Sequence, residues 1–87
     1  MNFKWYAVEL SIRDLVYGDE RRTINVRATS EKKAEKLAIE TFNKSYRARR
    51  AETSKKNGTT YDGSTPIVIA NSITPLDEDS SKRSLST

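Results

Sequence analysis

Two segments near the N-terminus alternate apolar and polar residues with the period of a β-strand. The apolar positions are Tyr6, Val8, Leu10 and Ile12 in residues 4–12, and Ile24, Val26 and Ala28 in residues 23–28. Alternation of this kind turns one face of a strand toward a core and the other toward solvent. The turn-prone pair Gly18-Asp19 lies between the two segments. The pattern therefore predicts an antiparallel hairpin of two strands, β1 and β2.

The register of this hairpin is predicted from the requirement that both apolar sets share one face. The expected pairs are Ile12 with Ile24, Leu10 with Val26, and Val8 with Ala28. This pairing leaves a loop of about three residues, Tyr17-Gly18-Asp19, in which Gly18 or Asp19 is left-handed. On the outer face it places Glu9 opposite Arg27, where the two side chains form a cross-strand ion pair.

A helix is predicted to follow the hairpin. Thr29 or Ser30 can accept a hydrogen bond from the first free helical N–H groups, and Glu31 favours the positive end of the helix dipole. The inward positions, which run to about Ala51, are Ala34, Leu37, Ala38, Thr41, Phe42 and Ser45, with Ile39 and Tyr46 on the flank. Many of these side chains are small, so we expect the helix to lie close to the sheet, with Leu37 and Phe42 as its main anchors.

The rest of the chain divides into a loop, a strand and a tail. Residues 53–64 contain two glycines and no periodicity, which favours a long, exposed and flexible loop. Pro66 opens a β-branched run from Ile67 to Ile73, which predicts a third strand, β3, that ends at Pro75. Only Leu85 is apolar in residues 77–87, so we expect this tail to be disordered. One domain is therefore predicted over residues 1–76.

The element order predicts an α+β fold with the arrangement β-β-α-β. The connection from β2 through the helix to β3 makes those two strands parallel to each other, and β1 then lies between them. The sheet order is therefore 2-1-3, with β1 antiparallel to both edge strands. We expect the long helix to cover one face of the sheet and the other face to stay open.

Composition excludes several classes of function. The 87 residues contain no cysteine and no histidine, so no thiol or imidazole can act as a nucleophile, a base or a zinc ligand. The acidic residues have no spacing typical of paired catalytic carboxylates or of a metal site, and the three glycines are isolated. We therefore expect a protein that is not an enzyme, with no catalytic residue, metal or cofactor. The N-terminus has no long apolar run, which favours a cytoplasmic protein that does not enter a membrane.

Basic residues cluster on the predicted outer face of the helix and in the loop that follows. The candidate phosphate contacts are Lys33, Lys36, Lys44, Arg47, Arg50, Lys55 and Lys56. A basic stripe of this kind, on a chain of net charge +4, is typical of a surface that follows a phosphate backbone. The leading hypothesis is a small nucleic-acid-binding accessory protein with little sequence specificity. The alternative is an ordinary solvated helix face that keeps the protein soluble.

A second hypothesis places the function on the open face of the sheet. The candidate partner-binding residues there are Trp5, Arg13, Tyr17 and Arg27. Aromatic and arginine side chains can stack on unpaired bases, and they are also frequent anchors of protein interfaces. The chain would then be a small modulator or inhibitor that docks on an acidic protein, as phage- and plasmid-type host-interaction factors do. The exposed edge of β3 at residues 67–69 also suggests a homodimer or a partner complex.

Overall fold

The computed structural model describes residues 2–76, which form three strands and one helix. The elements are β1 (Lys4–Arg13), β2 (Glu20–Ala28), α1 (Glu31–Asn57) and β3 (Ile67–Leu76). The strands form one sheet in the order β2-β1-β3, and β1 is antiparallel to both neighbours. The predicted α+β fold and strand order are thus confirmed. The tail expected to be disordered, residues 77–87, lies outside the described residues.

The core is a single layer between α1 and one face of the sheet. Its buried side chains are Tyr6, Val8, Leu10 and Ile12 from β1, Val26 and Ala28 from β2, and Ala34, Ala38, Phe42 and Tyr46 from α1. The alternation predicted for β1 is confirmed, since all four of its apolar core positions are buried. The opposite face of the sheet has no covering layer among residues 2–76.

The buried row of α1 follows steps of four residues, which differs from the predicted stripe. Leu37 is 40% exposed and so is not an anchor of the core, and Thr41 and Ser45 are also exposed. Successive steps of four residues turn about 40° around a helix axis. A row of this kind therefore winds around the helix, as contact with a twisted sheet requires. Tyr46, which was expected on the flank, is consequently buried.

The predicted register of the hairpin is wrong by four residues. Val8 pairs with Ile24 rather than with Ala28, and Ile12 pairs with Glu20. An even shift keeps every side chain on its predicted face, so the alternation alone cannot distinguish the two registers. Glu9 consequently lies opposite Thr23. The ion pair predicted between Glu9 and Arg27 is absent for the same reason.

The hairpin loop extends from residue 14 to residue 19 and is longer than predicted. Asp14 stabilises it, because its carbonyl accepts from the Gly18 N–H at 2.9 Å and its Oδ1 accepts from the Val16 N–H at 2.9 Å. Gly18 has a φ of 88°, which agrees with the left-handed residue expected in this loop. Side-chain acceptors thus replace the tight turn that a shorter loop would use.

Both ends of α1 have side-chain or backbone caps. Ser30 Oγ accepts from the Lys33 N–H at 3.2 Å, which confirms one of the two predicted N-caps. The helix continues to Asn57 instead of ending near Ala51, so residues 53–57 are helical and not part of a loop. Gly58 ends it with a φ of 69°, and the Thr59 N–H donates to the Ser54 carbonyl at 2.9 Å. This is a Schellman motif, which satisfies the last carbonyls without apolar burial.

Strand β3 also extends further than predicted. It continues through Pro75, which lies opposite Tyr6, to Leu76. Proline is tolerated here because β3 is an edge strand, where the missing N–H need not serve a second neighbour. A register shift opposite Glu9 and Leu10 leaves Asn71 as the additional residue of a bulge.

The close contact between α1 and the sheet predicts a sharp difference between two alanine substitutions. Ala38 has no exposed surface, so Ala38→Leu should lower the free energy of unfolding by about 1–3 kcal/mol because the larger side chain has no space. Ala48 on the same helix is exposed, and Ala48→Leu should change it by less than about 0.5 kcal/mol. Urea denaturation followed by circular dichroism measures both. Equal stabilities of the two variants would contradict the packing described.

Candidate nucleic-acid interface

The positive charge of the chain is located on α1. The helix carries nine basic and four acidic side chains, a net charge of +5, whereas the whole chain has a net charge of +4. The remainder of the chain is therefore close to neutral. An anionic partner attracted by the charge of this protein would accordingly meet the helix first.

Four of the predicted phosphate contacts are exposed on the side of α1 that faces away from the sheet. They are Lys33, Lys36, Lys44 and Arg47. The ion pairs found within residues 2–76 join Arg21 to Glu9, Arg22 to Glu20 and Lys56 to Glu52. None of them involves these four side chains, so none of the four is held in an ion pair within that part of the chain. We call these four residues the basic face.

Lys55 and Lys56 lie on α1 and not in the loop predicted from the sequence. Lys55 continues the basic face, because it follows Lys44 by eleven residues, or about three turns, whereas Lys56 follows the buried Ala38 by five full turns and so lies on the other side of the helix. Both occupy the last turn of α1, where a cation also interacts favourably with the negative end of the helix dipole. Lys56 Nζ lies 3.7 Å from Glu52 Oε1, and both side chains stay well exposed. Such an exposed pair contributes little stability and can exchange Glu52 for a phosphate.

Arg50, a seventh predicted phosphate contact, lies elsewhere. It follows Tyr46 by four residues and so continues the buried row, and its Nη1 donates to the Tyr46 hydroxyl at 3.0 Å. Its guanidinium is 4.8 Å from the centroid of the Tyr61 ring. Arg50 therefore connects α1 to the segment that follows it. The helical repeat gave a signal for this position, since residue 50 lies one step of four beyond the buried Tyr46.

The Tyr46 hydroxyl joins Arg50 to a buried carboxylate. It donates to Asp14 Oδ1 at 3.1 Å, and Asp14 is only 7% exposed. Burial raises the pKa of Tyr46 above its ordinary value, and its hydrogen bond to Asp14 acts in the same direction. The hydrogen bond to Tyr46 raises the pKa of Arg50 in turn. The spacing of the acidic residues in the sequence gave no signal for this structural role of Asp14.

Tyr17 lies on the helix side of the sheet, which corrects its expected place on the open face. Its ring meets that of Tyr46 edge-on, with centroids 5.9 Å apart and an interplanar angle of 81°. The Arg49 guanidinium lies 3.9 Å from the centroid of the Tyr17 ring. The longer hairpin loop accounts for this placement, because it allows residue 17 to reach α1. Tyr17 and Arg49 therefore form a cation–π contact with each other.

The remaining partner-binding candidates lie on the open face but in two separate places. Trp5 pairs across strands with Arg27 on one side and Leu76 on the other. Together with Phe3, these side chains line a shallow depression of roughly 700 Å³. Arg13 is on the same face, but it is eight residues further along β1, a distance of about 26 Å at strand rise. The predicted set therefore does not form one site.

The depression has the composition of an interface anchor. Phe3 is 57% exposed, Trp5 is 48% exposed, and the Arg27 guanidinium lies 5.3 Å from the centroid of the Phe3 ring. Exposed aromatic rings beside an arginine are enriched in protein interfaces. We call Phe3, Trp5, Arg27 and Leu76 the aromatic patch.

Comparisons with protein-family models, curated proteins and solved structures found no match to this chain. Within residues 2–76, no helix has both the length and the apolar character needed to cross a membrane. The same residues contain no group of three or more acidic, histidine or cysteine side chains placed to hold a metal ion. The geometry of the basic face and of the aromatic patch therefore carries the functional argument.

The bonds of Tyr46 predict the stability of a Tyr46→Phe variant. Loss of the hydroxyl leaves the buried Asp14 with one donor fewer, so the free energy of unfolding at neutral pH should fall by about 1–3 kcal/mol. Because the folded-state pKa of Tyr46 is raised, its stabilising contribution is complete below the ordinary tyrosine pKa and is lost as the pH rises through the folded-state value. The deficit of the variant should therefore shrink in alkaline solution.

Urea denaturation at neutral and alkaline pH measures this difference. Tyr17→Phe is the matched control, because the Tyr17 hydroxyl makes only a long, exposed contact of 3.5 Å with Thr53. It should change stability little at either pH. A Tyr46→Phe deficit that stays constant with pH would show that the hydroxyl does not titrate as described.

Proposed function

We propose that this protein is a small, non-enzymatic, cytoplasmic accessory protein that binds the phosphate backbone of nucleic acid through the outer side of α1. The observation that carries the proposal is the basic face itself. Its four cations are exposed and lie outside the ion pairs found in residues 2–76. Cations in this state can neutralise phosphates and release condensed counterions, which is the main source of affinity in nonspecific binding.

The spacing of the basic face suits a phosphate backbone. Lys33 and Arg47 are fourteen residues apart, or about 21 Å along a helix axis, a length that covers about six phosphates of one strand. Three of the four cations are lysines, which act as point charges and lack the planar fork of donors that arginine has. The proposed binding is therefore weakly sequence-specific.

Glu40 limits the affinity of this surface. It is exposed and lies between the two halves of the basic face, with Lys36 four residues before it and Lys44 four residues after it. Residues four apart are neighbours on a helix surface, so the carboxylate stands next to both lysines. A phosphate that binds either lysine must approach this negative charge.

A second candidate function rests on the aromatic patch. Phe3, Trp5 and Leu76 are exposed together beside Arg27, which fits a protein partner that supplies apolar contacts and an acidic group. Arg21 and Arg27 of β2 both lie on this open face of the sheet. The partner proposed for this surface is accordingly an acidic protein.

The proposed phosphate contact predicts a strong dependence of affinity on salt. Four neutralised phosphates should give a slope of about −3 to −4 in a plot of log affinity against log salt concentration. The triple variant Lys36→Glu, Lys44→Glu, Arg47→Glu should lose most of the affinity and most of the slope. Glu40→Gln should bind more tightly than the natural chain. Fluorescence anisotropy with labelled single- and double-stranded DNA and RNA measures all three quantities.

The control is Arg13→Glu, Arg21→Glu, Arg27→Glu, which changes net charge by the same amount on the sheet. This control should retain most of the affinity if the contact is on α1. Loss of affinity in the control but not in the helix variant would reject the basic face as the binding surface. A salt slope near zero would reject phosphate binding altogether.

Trp5 provides a test that separates the two candidate functions. It is the only tryptophan of the chain, and at 48% exposed it should emit as a solvated indole and be quenched readily by acrylamide. Nucleic acid bound to α1 should leave its emission and its quenching unchanged, because α1 covers the opposite face of the sheet. Protection of Trp5 by nucleic acid would instead place the contact on the aromatic patch.

A further inference from the structure

The two edge strands of the sheet differ in charge. Four of the nine residues of β2 are charged, namely Glu20, Arg21, Arg22 and Arg27, whereas the ten residues of β3 include no charged side chain. Charged side chains on an edge strand oppose pairing with another sheet. The edge formed by β2 is therefore protected by charge, and the edge formed by β3 is not.

The outer edge of β3 is also open. Apart from its ladder with β1, β3 makes no backbone hydrogen bond within residues 2–76. The N–H and C=O groups on that edge are consequently available to another strand. The bulge at Asn71 interrupts the strand, so the longest regular segment before it is Ile67–Ala70.

Apolar side chains on both faces of β3 are incompletely covered. On the open face, Ile67 is 63% exposed and Ile69 is 54% exposed. On the helix face, Val68 and Ala70 pack against the core but are only partly buried, whereas the core positions of β1 are buried. β3 is an edge strand with one neighbour, whereas β1 lies between two strands, which explains this difference. A neighbour at the β3 edge would cover apolar surface on both faces.

We propose that β3 pairs antiparallel with β3 of a second copy of this chain, so that the two sheets form one sheet of six strands. A second copy fits this edge because identical strands related by a two-fold axis are self-complementary. The positive charges of the described residues lie on α1, β1 and β2, and the strand that meets its copy carries no charge of its own. This association does not depend on nucleic-acid binding.

The two-fold axis restricts the register of the pairing. Residues directly opposite in an antiparallel pair point to the same face of the sheet. Neighbouring residues of one strand point to opposite faces, so the residue at the axis must lie opposite the same residue of the second copy. With Val68 on the axis, Ile67–Ile69 pair within the regular segment and the bulge residue Asn71 takes no part in the pairing. Ile67 then lies opposite Ile69 of the second copy, and the reverse pair completes a cluster of four isoleucines on the open face.

The two-fold axis is perpendicular to the sheet, so both α1 helices lie on the same face of the six-stranded sheet. The two β2 strands become the outer edges, and their charges oppose further addition of strands. The assembly therefore closes as a dimer. The same geometry places two basic faces side by side.

Sedimentation equilibrium on the natural chain tests the association. Because pairing over one short segment buries less area than a standard interface of about 1,600 Å², we expect a reversible dimer that forms between micromolar and millimolar concentration. Ile69→Lys places a charge at the edge and should shift the dissociation constant at least tenfold toward the monomer. Leu15→Lys adds the same charge at a position that is 106% exposed and should leave the constant unchanged.

Circular dichroism shows whether each variant is folded, and Ile67→Lys provides a second exposed substitution with the same expected shift. A natural chain that stays monomeric up to millimolar concentration would overturn the proposal. Equal shifts in Ile69→Lys and Leu15→Lys would also overturn it, because the effect would then come from net charge. Species larger than a dimer would contradict the closed assembly.

Single cysteines test the register, since the natural chain contains none. Val68→Cys should form a disulfide-linked dimer on mild oxidation faster than Ile69→Cys, because only residue 68 meets its own copy on the axis. Leu15→Cys measures the rate of random collision. Faster crosslinking of Ile69→Cys would overturn the proposed register, and equal rates in all three would overturn the interface.

Discussion

Ala34 and Ala38 present only methyl groups to the sheet, and both are completely buried, so the backbone of α1 lies close to the strands at this end. The next two members of the same row, Phe42 and Tyr46, are large. Since protein interiors are packed to nearly constant density, the space between helix and sheet must widen toward the C-terminal half of the helix. The order of small and large side chains along one row thus determines how the helix lies on the sheet.

The helix continues well beyond the core. After Tyr46 no side chain of α1 is buried, so the last three turns depend on surface contacts, among them that of Arg49 with the Tyr17 ring. Gly58 caps the carbonyls, and Arg50 connects the helix to Tyr61 in the following segment. These contacts offset the free-energy cost of forming an exposed helical end. The longer helix provides more surface for basic side chains.

The sequence predicts those features of the fold that depend on the period of the pattern. The alternation of apolar and polar residues identified β1. The capping residue Ser30 identified the start of α1. Both signals are local in the sequence. The hairpin register could not be obtained in this way, since a shift of four residues leaves every face unchanged. It depends on the loop that Asp14 stabilises, and that loop is held by Tyr46, which is thirty-two residues away along the chain.

The candidate sites also combine features that the sequence predicts with features that it does not. The exposure of Lys33, Lys36 and Lys44 follows from the helical repeat alone, so the basic face was largely predictable. Arg50 was assigned to it because the extent of the buried row was not known, and Tyr17 was misplaced with the register of the hairpin. The error on Tyr17 concerns a contact between elements that are distant in sequence, for which a local pattern carries no information, whereas the place of Arg50 follows from the helical repeat once Tyr46 is known to be buried.

The basic face and the aromatic patch lie on opposite sides of a two-layer molecule. A helix about 10 Å in diameter, packed roughly 10 Å from the sheet, separates them. A nucleic acid bound along α1 therefore leaves Trp5 accessible, and a protein bound at Trp5 leaves Lys36 and Lys44 accessible. The two proposed functions are thus compatible in one molecule. A chain of this design could hold an acidic protein and a nucleic acid together without competition between them, because each surface uses side chains that the other does not contact.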